Sequence, residues 1–162
     1  MSLNIVLVRP EIPHNTGAIG RLCVGLGARL HLIRPLGFVL SDQWVRRAGL
    51  DYWQHLDVTV HADWNAFLLA EHPAQLHFAS TQGTSDLYTC IFPANAYLVF
   101  GNELSGLPPA FYTDYRDALF RIPMPGPQAR SINLANAVAI VAYEAWRQTH
   151  VSAPTHPIRV TP

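Results

Sequence analysis

Short apolar runs recur along the chain, and stretches in which apolar and polar residues are mixed separate each run from the next. Continuous apolar runs that are rich in β-branched residues and bounded by turn-forming residues are typical of strands buried on both faces. We predict strands at residues 3–8, 30–33, 58–60, 76–80, 97–100 and 119–122.

The stretches between these runs carry helix signals. Pro13 begins one helix, and Gly27 suits the left-handed conformation in which many helices end. Residues 42–47, which start with the capping residue type aspartate, and residues 63–70 are predicted as two shorter helices. The longest helical segment, 133–148, is apolar on most sides, which is typical of a helix that packs into a protein body or against a partner.

Strands that alternate with helices and are apolar throughout predict an α/β fold, with a mostly parallel sheet flanked by helices. The chain of 162 residues fits one domain, which we assign to residues 1–151, and an irregular, proline-containing tail is expected at 152–162. The sequence has no apolar run of about 18 residues and no signal-peptide pattern. We therefore expect a cytoplasmic protein that has no membrane segment.

Charges are segregated along the chain, although the net charge is zero. Residues 1–50 contain six arginines and two acidic residues, and residues 104–162 contain five arginines and three acidic residues. Between them, residues 51–103 contain six acidic residues and no arginine. This distribution is compatible with one basic face for phosphates, or with charge that is scattered over the surface, and composition alone favours the second interpretation.

Several familiar motifs are absent. Neither the two cysteines nor the eight histidines follow a metal-binding spacing, so we expect no metal site. A P-loop needs a lysine, and the chain has none. The pair Gly25 and Gly27 precedes a predicted strand instead of following one, which argues against a dinucleotide fingerprint.

Three other stretches, 15–21, 101–108 and 122–137, place polar and turn-forming residues after predicted strands. Ligands of α/β sheets bind at the carboxyl ends of the strands. Each stretch alone is explained by turn chemistry and helix capping, for which Ser131 or Asn133 would be suited. All three occurring in this order indicates a binding site.

The three stretches, with Tyr143 and Glu144 closing the third, form a motif set that spans nearly the whole chain. Its residues are Asn15, Gly17 and Arg21, then Gly101, Glu103, Gly106 and Leu107, then Ile122, Pro123, Met124, Ser131, Asn133, Ala137, Tyr143 and Glu144. The set resembles the SPOUT class of RNA methyltransferases, in its ribose 2′-O-methyltransferase branch. Within that class, the short length and residues 10–13 and 46–52 are similar to the TrmL (YibK) type, whose members methylate the wobble ribose of certain leucine tRNAs.

The resemblance implies properties that the periodicity does not predict. It implies a C-terminal trefoil knot, S-adenosylmethionine as cofactor with S-adenosylhomocysteine as product, and a homodimer formed through the C-terminal helix at 133–148. The implied function is methylation of a ribose 2′-hydroxyl in tRNA, at the wobble cytidine or uridine of leucine tRNAs. The alternatives are a ribosomal RNA 2′-O-methyltransferase, a non-catalytic RNA-binding pseudoenzyme and, less well matched, a small-molecule enzyme on a flavodoxin-like sheet.

The resemblance also implies roles for single residues. Arg21 is the expected catalytic residue, and we expect it to act as a cationic donor, since a guanidinium is effectively always protonated. Glu103 either holds its loop or contacts the cofactor, and Ser131 either binds the cofactor or caps the helix. The expected cofactor-binding residues are Ala79, Gly101, Glu103, Gly106, Ile122, Met124 and Ser131. The expected substrate-binding residues are Asn15, Arg46, Arg47, Arg130, Asn133 and Asn136.

Overall fold

The computed structural model describes residues 2–40 and 51–151, and seven strands form one sheet in these residues. The strands are β1 (Asn4–Val8), β2 (Arg29–Ile33), β3 (Val58–His61), β4 (Leu76–Ala79), β5 (Ser85–Asp86), β6 (Tyr97–Phe100) and β7 (Leu119–Arg121). Their order across the sheet is β3-β2-β1-β6-β4-β7-β5, and every neighbouring pair is parallel. The predicted parallel sheet and its six predicted strands are confirmed, and β5 is an additional strand.

Helices and 3-10 turns connect these strands. The described helices are α1 (Pro13–Leu26), α2 (Trp64–Glu71), α3 (Phe111–Asp114) and α4 (Leu134–His150), and the 3-10 turns are Asp51–His55, Leu87–Thr89 and Arg116–Ala118. Three predicted helices are thereby confirmed, whereas α3 had no sequence signal. The helix predicted at 42–47 and the tail predicted at 152–162 lie outside the described residues.

The ends of the helices follow the expected local chemistry. Gly27 ends α1 in the left-handed region, with a φ of 63° that glycine adopts without a steric cost. Asp63 precedes α2, and its side chain accepts a hydrogen bond of 2.8 Å from the amide of Ala66. No helix in the described ranges combines the length and the hydropathy that a membrane crossing requires.

Both faces of the sheet are covered by apolar layers, because successive strand residues point to opposite faces. Ile5 and Leu7 of β1 belong to the core cluster that includes side chains of α1 and α4. Val6 and Val8 belong to the cluster that includes side chains of α2 and α3. Burial on both faces explains why β1 is apolar at almost every position, which is the pattern that predicted it.

The position of β6 brings distant loops together. β6 pairs with β1 on one side and with β4 on the other, and β4 also pairs with β7. Since all four strands are parallel, their carboxyl ends lie at the same edge of the sheet. The loops that follow β1, β4, β6 and β7 therefore meet at this edge, where ligands of α/β sheets bind.

A buried polar cluster lies on the sheet face that α2 covers. The His31 ring is fully buried, with Nδ1 3.1 Å from Nε2 of His61 and Nε2 3.4 Å from Oδ1 of Asn4. The side-chain amide of Asn4 donates to the backbone carbonyls of Ser2 and Asn95, so its oxygen faces His31. His31 therefore donates a hydrogen bond from Nε2 to Asn4, and its Nδ1 accepts a hydrogen bond from Nε2 of His61.

Burial keeps both histidines of this cluster neutral. It lowers the pKa of His31 to about 4 and also lowers the pKa of His61. The carboxylate of Glu71, 3.8 Å from Nδ1 of His31, opposes this shift, whereas the charge of Arg29 reinforces it for both rings. Asp57, which pairs with Arg29, makes a smaller opposing contribution to the pKa of His31.

These neutral histidines predict that the protein loses stability in mild acid. A histidine in the unfolded chain gains a proton near pH 6.5, whereas His31 in the folded chain stays neutral down to about pH 4. Unfolding therefore takes up protons between these values, and the stability present above pH 6.5 is lost as the pH falls towards 4. We expect His31 to account for a decrease of roughly 3 kcal/mol in the free energy of unfolding, measured by urea denaturation across this window.

The contribution of His31 can be isolated with a substitution that does not titrate. The His31→Asn protein should show a smaller decrease in unfolding free energy between about pH 7 and pH 4 than the unaltered protein. The exposed His14, changed in the same way, serves as the matched control. Equal pH dependence in His31→Asn and the unaltered protein would contradict the assignment.

Candidate active site

A cavity of about 290 Å³ opens at the carboxyl edge of the sheet. The loops that follow β4, β6 and β7 form its wall together with the first turn of α4. Apolar side chains and polar loop atoms are mixed in this wall, as is usual for small-molecule sites. The residues expected from the sequence to bind the cofactor all line the cavity: Ala79, Gly101, Glu103, Gly106, Ile122, Met124 and Ser131.

The loop after β6 is a tight hairpin that requires two glycines. The backbone groups of Asn102 and Gly106 exchange two hydrogen bonds of 2.9 and 3.0 Å. Gly106 has a φ of 73°, which other residues rarely adopt, and a Cβ at Gly101 would overlap the backbone of Gly106. The two strands of this hairpin can approach each other so closely only because Gly101 has no side chain.

Glu103, at the turn of this hairpin, binds the segment that follows β1. Its carboxylate accepts hydrogen bonds from the amides of Glu11 and Ile12, at 2.8 and 3.1 Å. It accepts a third, of 3.2 Å, from the side-chain amide of Asn15. Hydrogen bonds to an ionised acceptor are stronger than neutral ones, so Glu103 holds the first and second motif stretches together.

Asn133 extends the same network to the third stretch. Its side-chain amide donates to Oδ1 of Asn15 at 2.9 Å, and its own Oδ1 accepts from the amides of Ala135 and Asn136. These last two bonds cap α4, so Asn133 fixes the start of that helix and Asn15 at once. The alternative that Ser131 caps the helix is wrong, because Asn133 occupies the N-cap position.

The other predicted substrate residues are not part of the network that joins Glu103, Asn15 and Asn133. Asn136 lies in the first turn of α4, and Arg130 precedes the helix; both side chains are exposed. Arg46 and Arg47 lie outside the described residues. The structure thus brings Asn15 and Asn133 together and leaves Arg130 and Asn136 on the adjacent surface.

Arg21, the expected catalytic residue, lies on α1 and is exposed to solvent. It is not among the residues that line the cavity. Within residues 2–40 and 51–151, its side chain forms neither an ion pair nor a hydrogen bond; its contact is with the ring of Tyr52. The guanidinium is therefore available to a molecule that approaches α1 from solvent.

Some residues of the cavity wall were not predicted from the sequence. Ser80, Thr81 and Gln82 line the cavity directly after β4, and Tyr112 of α3 lines it from another side. The first three follow a predicted strand, which is the signal that would have identified them. No sequence signal identified Tyr112, because α3 is a single helical turn whose position depends on tertiary packing.

A group of three residues that could hold a metal ion was also not predicted from the sequence. His31, His61 and Glu71 each have one ligand atom within 4.8 Å of the others, in the polar cluster described above. The carboxylate of Glu71 is already bound by Arg29 at 3.0 Å, and the two histidine rings bind each other. None of these three residues lines the cavity.

Comparison with known proteins identifies the family to which the chain is similar. A family model described as the SpoU rRNA Methylase family matches residues 2–143. The tRNA (cytidine(34)-2'-O)-methyltransferase of Escherichia coli strain K12 is 50% identical over 151 residues, which cover 90% of this chain and 93% of that protein.

Two solved structures have the same fold. One, described as giving structural insights into the 2-OH methylation of C/U34 on tRNA, has a TM-score of 0.82 and 47% identity, and the match covers 91% of this chain and 96% of that one. The other is the SpoU methyltransferase AviRb from Streptomyces viridochromogenes in complex with AdoMet. It has a TM-score of 0.77 and 29% identity over 94% of this chain and 59% of its own.

The three hydrogen bonds of the Asn133 side chain, one donated and two accepted, predict a measurable loss of stability when the side chain is removed. The Asn133→Ala protein loses the cap of α4 and the bond to Asn15, so its free energy of unfolding should fall by about 1–2 kcal/mol. Asn136→Ala is the matched control, because within the described residues the Asn136 side chain makes no hydrogen bond. It should change the stability by less than about 0.5 kcal/mol in urea denaturation, and equal losses in both variants would contradict the prediction.

Proposed function

The chain belongs to the SpoU rRNA methylase family, and on this premise we propose that it methylates the ribose 2′-hydroxyl of the wobble nucleotide in a tRNA, with S-adenosylmethionine as methyl donor. The observation that carries the proposal is the cavity whose wall contains all seven expected cofactor residues. The near-complete overlap with a tRNA (cytidine(34)-2'-O)-methyltransferase favours a cytidine or uridine at position 34, and leucine tRNAs remain the substrates implied by the sequence motifs.

The lining of the cavity suits a nucleoside cofactor in its chemistry. Ile122, Met124 and Leu134 offer apolar surface to a base, and the backbone of the Gly101–Gly106 hairpin and Ser131 offer polar partners. When bound, S-adenosylmethionine supplies a methyl group that the positive charge on its sulfur activates, and S-adenosylhomocysteine is the product. The chain's own residues then have to orient the ribose and help the hydroxyl proton leave.

Arg21 is the residue that we assign to the hydroxyl. Its guanidinium remains protonated, so it acts by donating hydrogen bonds to the oxygen as negative charge develops there, while a phosphate oxygen or water accepts the proton. Orientation of the two reactants can contribute on the order of 7–11 kcal/mol to such a displacement. Asn15, Asn133 and Asn136 orient the substrate, and Arg130, Arg46 and Arg47 contact its phosphates.

The same proposal includes the knot and the dimer. The sequence motifs imply the knot, in which the C-terminal segment is threaded. Ile140 and Tyr143 on α4 are exposed at 37% and 52%, and such apolar exposure on one helix supports a homodimer through α4. The action on tRNA implies that the protein works in the cytoplasm.

The rival functions are less well supported. A ribosomal RNA substrate matches the family description, but the 50% identical relative spans the same length and is named for tRNA. A non-catalytic protein would not need an intact Glu103–Asn15–Asn133 network beside an available Arg21.

The hairpin after β6 predicts that the cofactor affinity depends on Gly101. Gly101→Ala forces the Gly106 side of the hairpin away, so the dissociation constant for S-adenosylmethionine should rise at least about ten-fold in calorimetry. Gly25→Ala is the matched control, because a Cβ there meets no atom within 4 Å. Similar dissociation constants for the two variants would exclude the hairpin as part of the cofactor site.

Transfer of radiolabelled methyl from S-adenosylmethionine to unmodified bulk tRNA tests the proposed reaction. We expect label on the ribose of nucleotide 34, mapped after nuclease digestion. Arg21→Ala should lower turnover at least about 100-fold and change the cofactor dissociation constant only a few-fold. Arg116→Ala, an exposed arginine just before β7, is the control and should keep full turnover.

Other outcomes of this transfer experiment would contradict a specific part of the proposal. Turnover that persists in Arg21→Ala would remove Arg21 from the mechanism. Label that appears only on ribosomal RNA would replace the tRNA substrate, and cofactor binding without transfer to either RNA would favour the non-catalytic alternative.

A further inference from the structure

The 3-10 turn Asp51–His55 packs across the helix that carries Arg21. Gly20, the neighbour of Arg21, faces this turn, and a Cβ on it would lie 2.9 Å from Cζ3 of Trp53 and 3.0 Å from Cδ2 of Leu56. Such distances are shorter than ordinary van der Waals contacts, so a larger residue at position 20 would push the side chains of Trp53 and Leu56 away from α1. Leu56 is buried, which anchors the turn to the core.

Tyr52, the second residue of this turn, binds α1 at the level of Arg21. Its hydroxyl donates a hydrogen bond of 2.5 Å to the carbonyl oxygen of Gly17. In an α-helix the carbonyl of Gly17 also accepts the amide of Arg21, four residues later, and a carbonyl oxygen can accept both. The hydroxyl therefore holds the turn of helix from which the Arg21 side chain departs.

The ring of Tyr52 also contacts the functional end of Arg21. The Cζ atom of Arg21 lies 5.8 Å from the ring centroid, within the range of a cation–π interaction. Burial raises the pKa of Tyr52, although the charge of Arg21 opposes this, so the hydroxyl stays protonated and able to donate. Within the described residues no carboxylate pairs with Arg21, which leaves the ring as the group that restricts its guanidinium.

From this double contact we propose that Tyr52 is a positioning residue, which holds the Arg21 guanidinium in the orientation that methyl transfer requires. The hydroxyl fixes the ring against α1, and the ring fixes the guanidinium without neutralising its charge. An acidic partner would also orient Arg21 but would compete with the RNA for its donors. The inference rests on the proposed function, because the orientation matters only if Arg21 acts on the ribose hydroxyl.

Kinetics of Tyr52 variants test the inference. Tyr52→Leu, which removes the ring, should lower kcat roughly three- to thirty-fold, whereas the dissociation constant for S-adenosylmethionine should change less than about two-fold. Tyr52→Phe keeps the ring and should lose less than Tyr52→Leu. Tyr97→Phe is the matched control, since its hydroxyl binds Glu71 in the buried polar cluster, and it should keep full turnover.

A double-mutant cycle separates positioning from a general structural effect. In an Arg21→Lys background, which lacks the planar guanidinium, Tyr52→Leu should cause little further loss of kcat. The same fold loss in both backgrounds would overturn the inference, because Tyr52 would then act independently of Arg21. Unchanged kcat in Tyr52→Leu would also overturn it.

A spectroscopic readout distinguishes failure of this inference from failure of the proposed function. The ring current of Tyr52 shifts the Nε–H resonance of Arg21, which is identified by its absence in Arg21→Lys. Tyr52→Leu should move this resonance, and Tyr97→Phe should not. Absence of methyl transfer by the unaltered protein would contradict the proposed function. Independently of that result, an Arg21 resonance that does not move in Tyr52→Leu would contradict the contact between Tyr52 and Arg21.

Discussion

The candidate site depends on the carboxylate of Glu103. It binds two backbone amides and the Asn15 side chain in the segment after β1, and Asn15 in turn binds Asn133 at the start of α4. Parallel strands fix only where these loops begin, so without this network each loop could move separately. An ionised acceptor with three donors is strong enough to restrict all of them, and the cavity therefore has defined walls.

The two reactants of the proposed chemistry meet different parts of this framework. The proposed cofactor is small enough to lie between loops, where the wall is formed by the Gly101–Gly106 hairpin and by apolar residues that follow β7 and begin α4. A folded RNA cannot enter a cavity of about 290 Å³, so groups that act on it have to be exposed. Arg21, Arg130 and Asn136 are exposed, and Arg21 relies on Tyr52 instead of on the cavity wall for its orientation.

Much of the fold was predictable because local signals and tertiary environment agree. The apolar run of β1 predicts a strand buried on both faces, and the structure covers both faces; Gly27 predicts the end of α1 and adopts the left-handed conformation. The two-residue strand β5 and the single turn α3 were not predicted, since elements so short are stabilised by packing and hydrogen bonds to distant residues. For the same reason, Tyr112 of α3 was not predicted to line the site.

The sequence by itself determined the α/β class, the parallel sheet, the family resemblance and seven of the residues that line the cavity, because each follows from local patterns or motifs. Only the tertiary structure decided that Asn133, and not Ser131, caps α4 and binds Asn15, and that Tyr52 lies against Arg21. It also decided that His31 and His61 form a buried neutral pair. These contacts join residues that are far apart in the chain, and their geometry depends on strand order and helix packing, which no local pattern encodes.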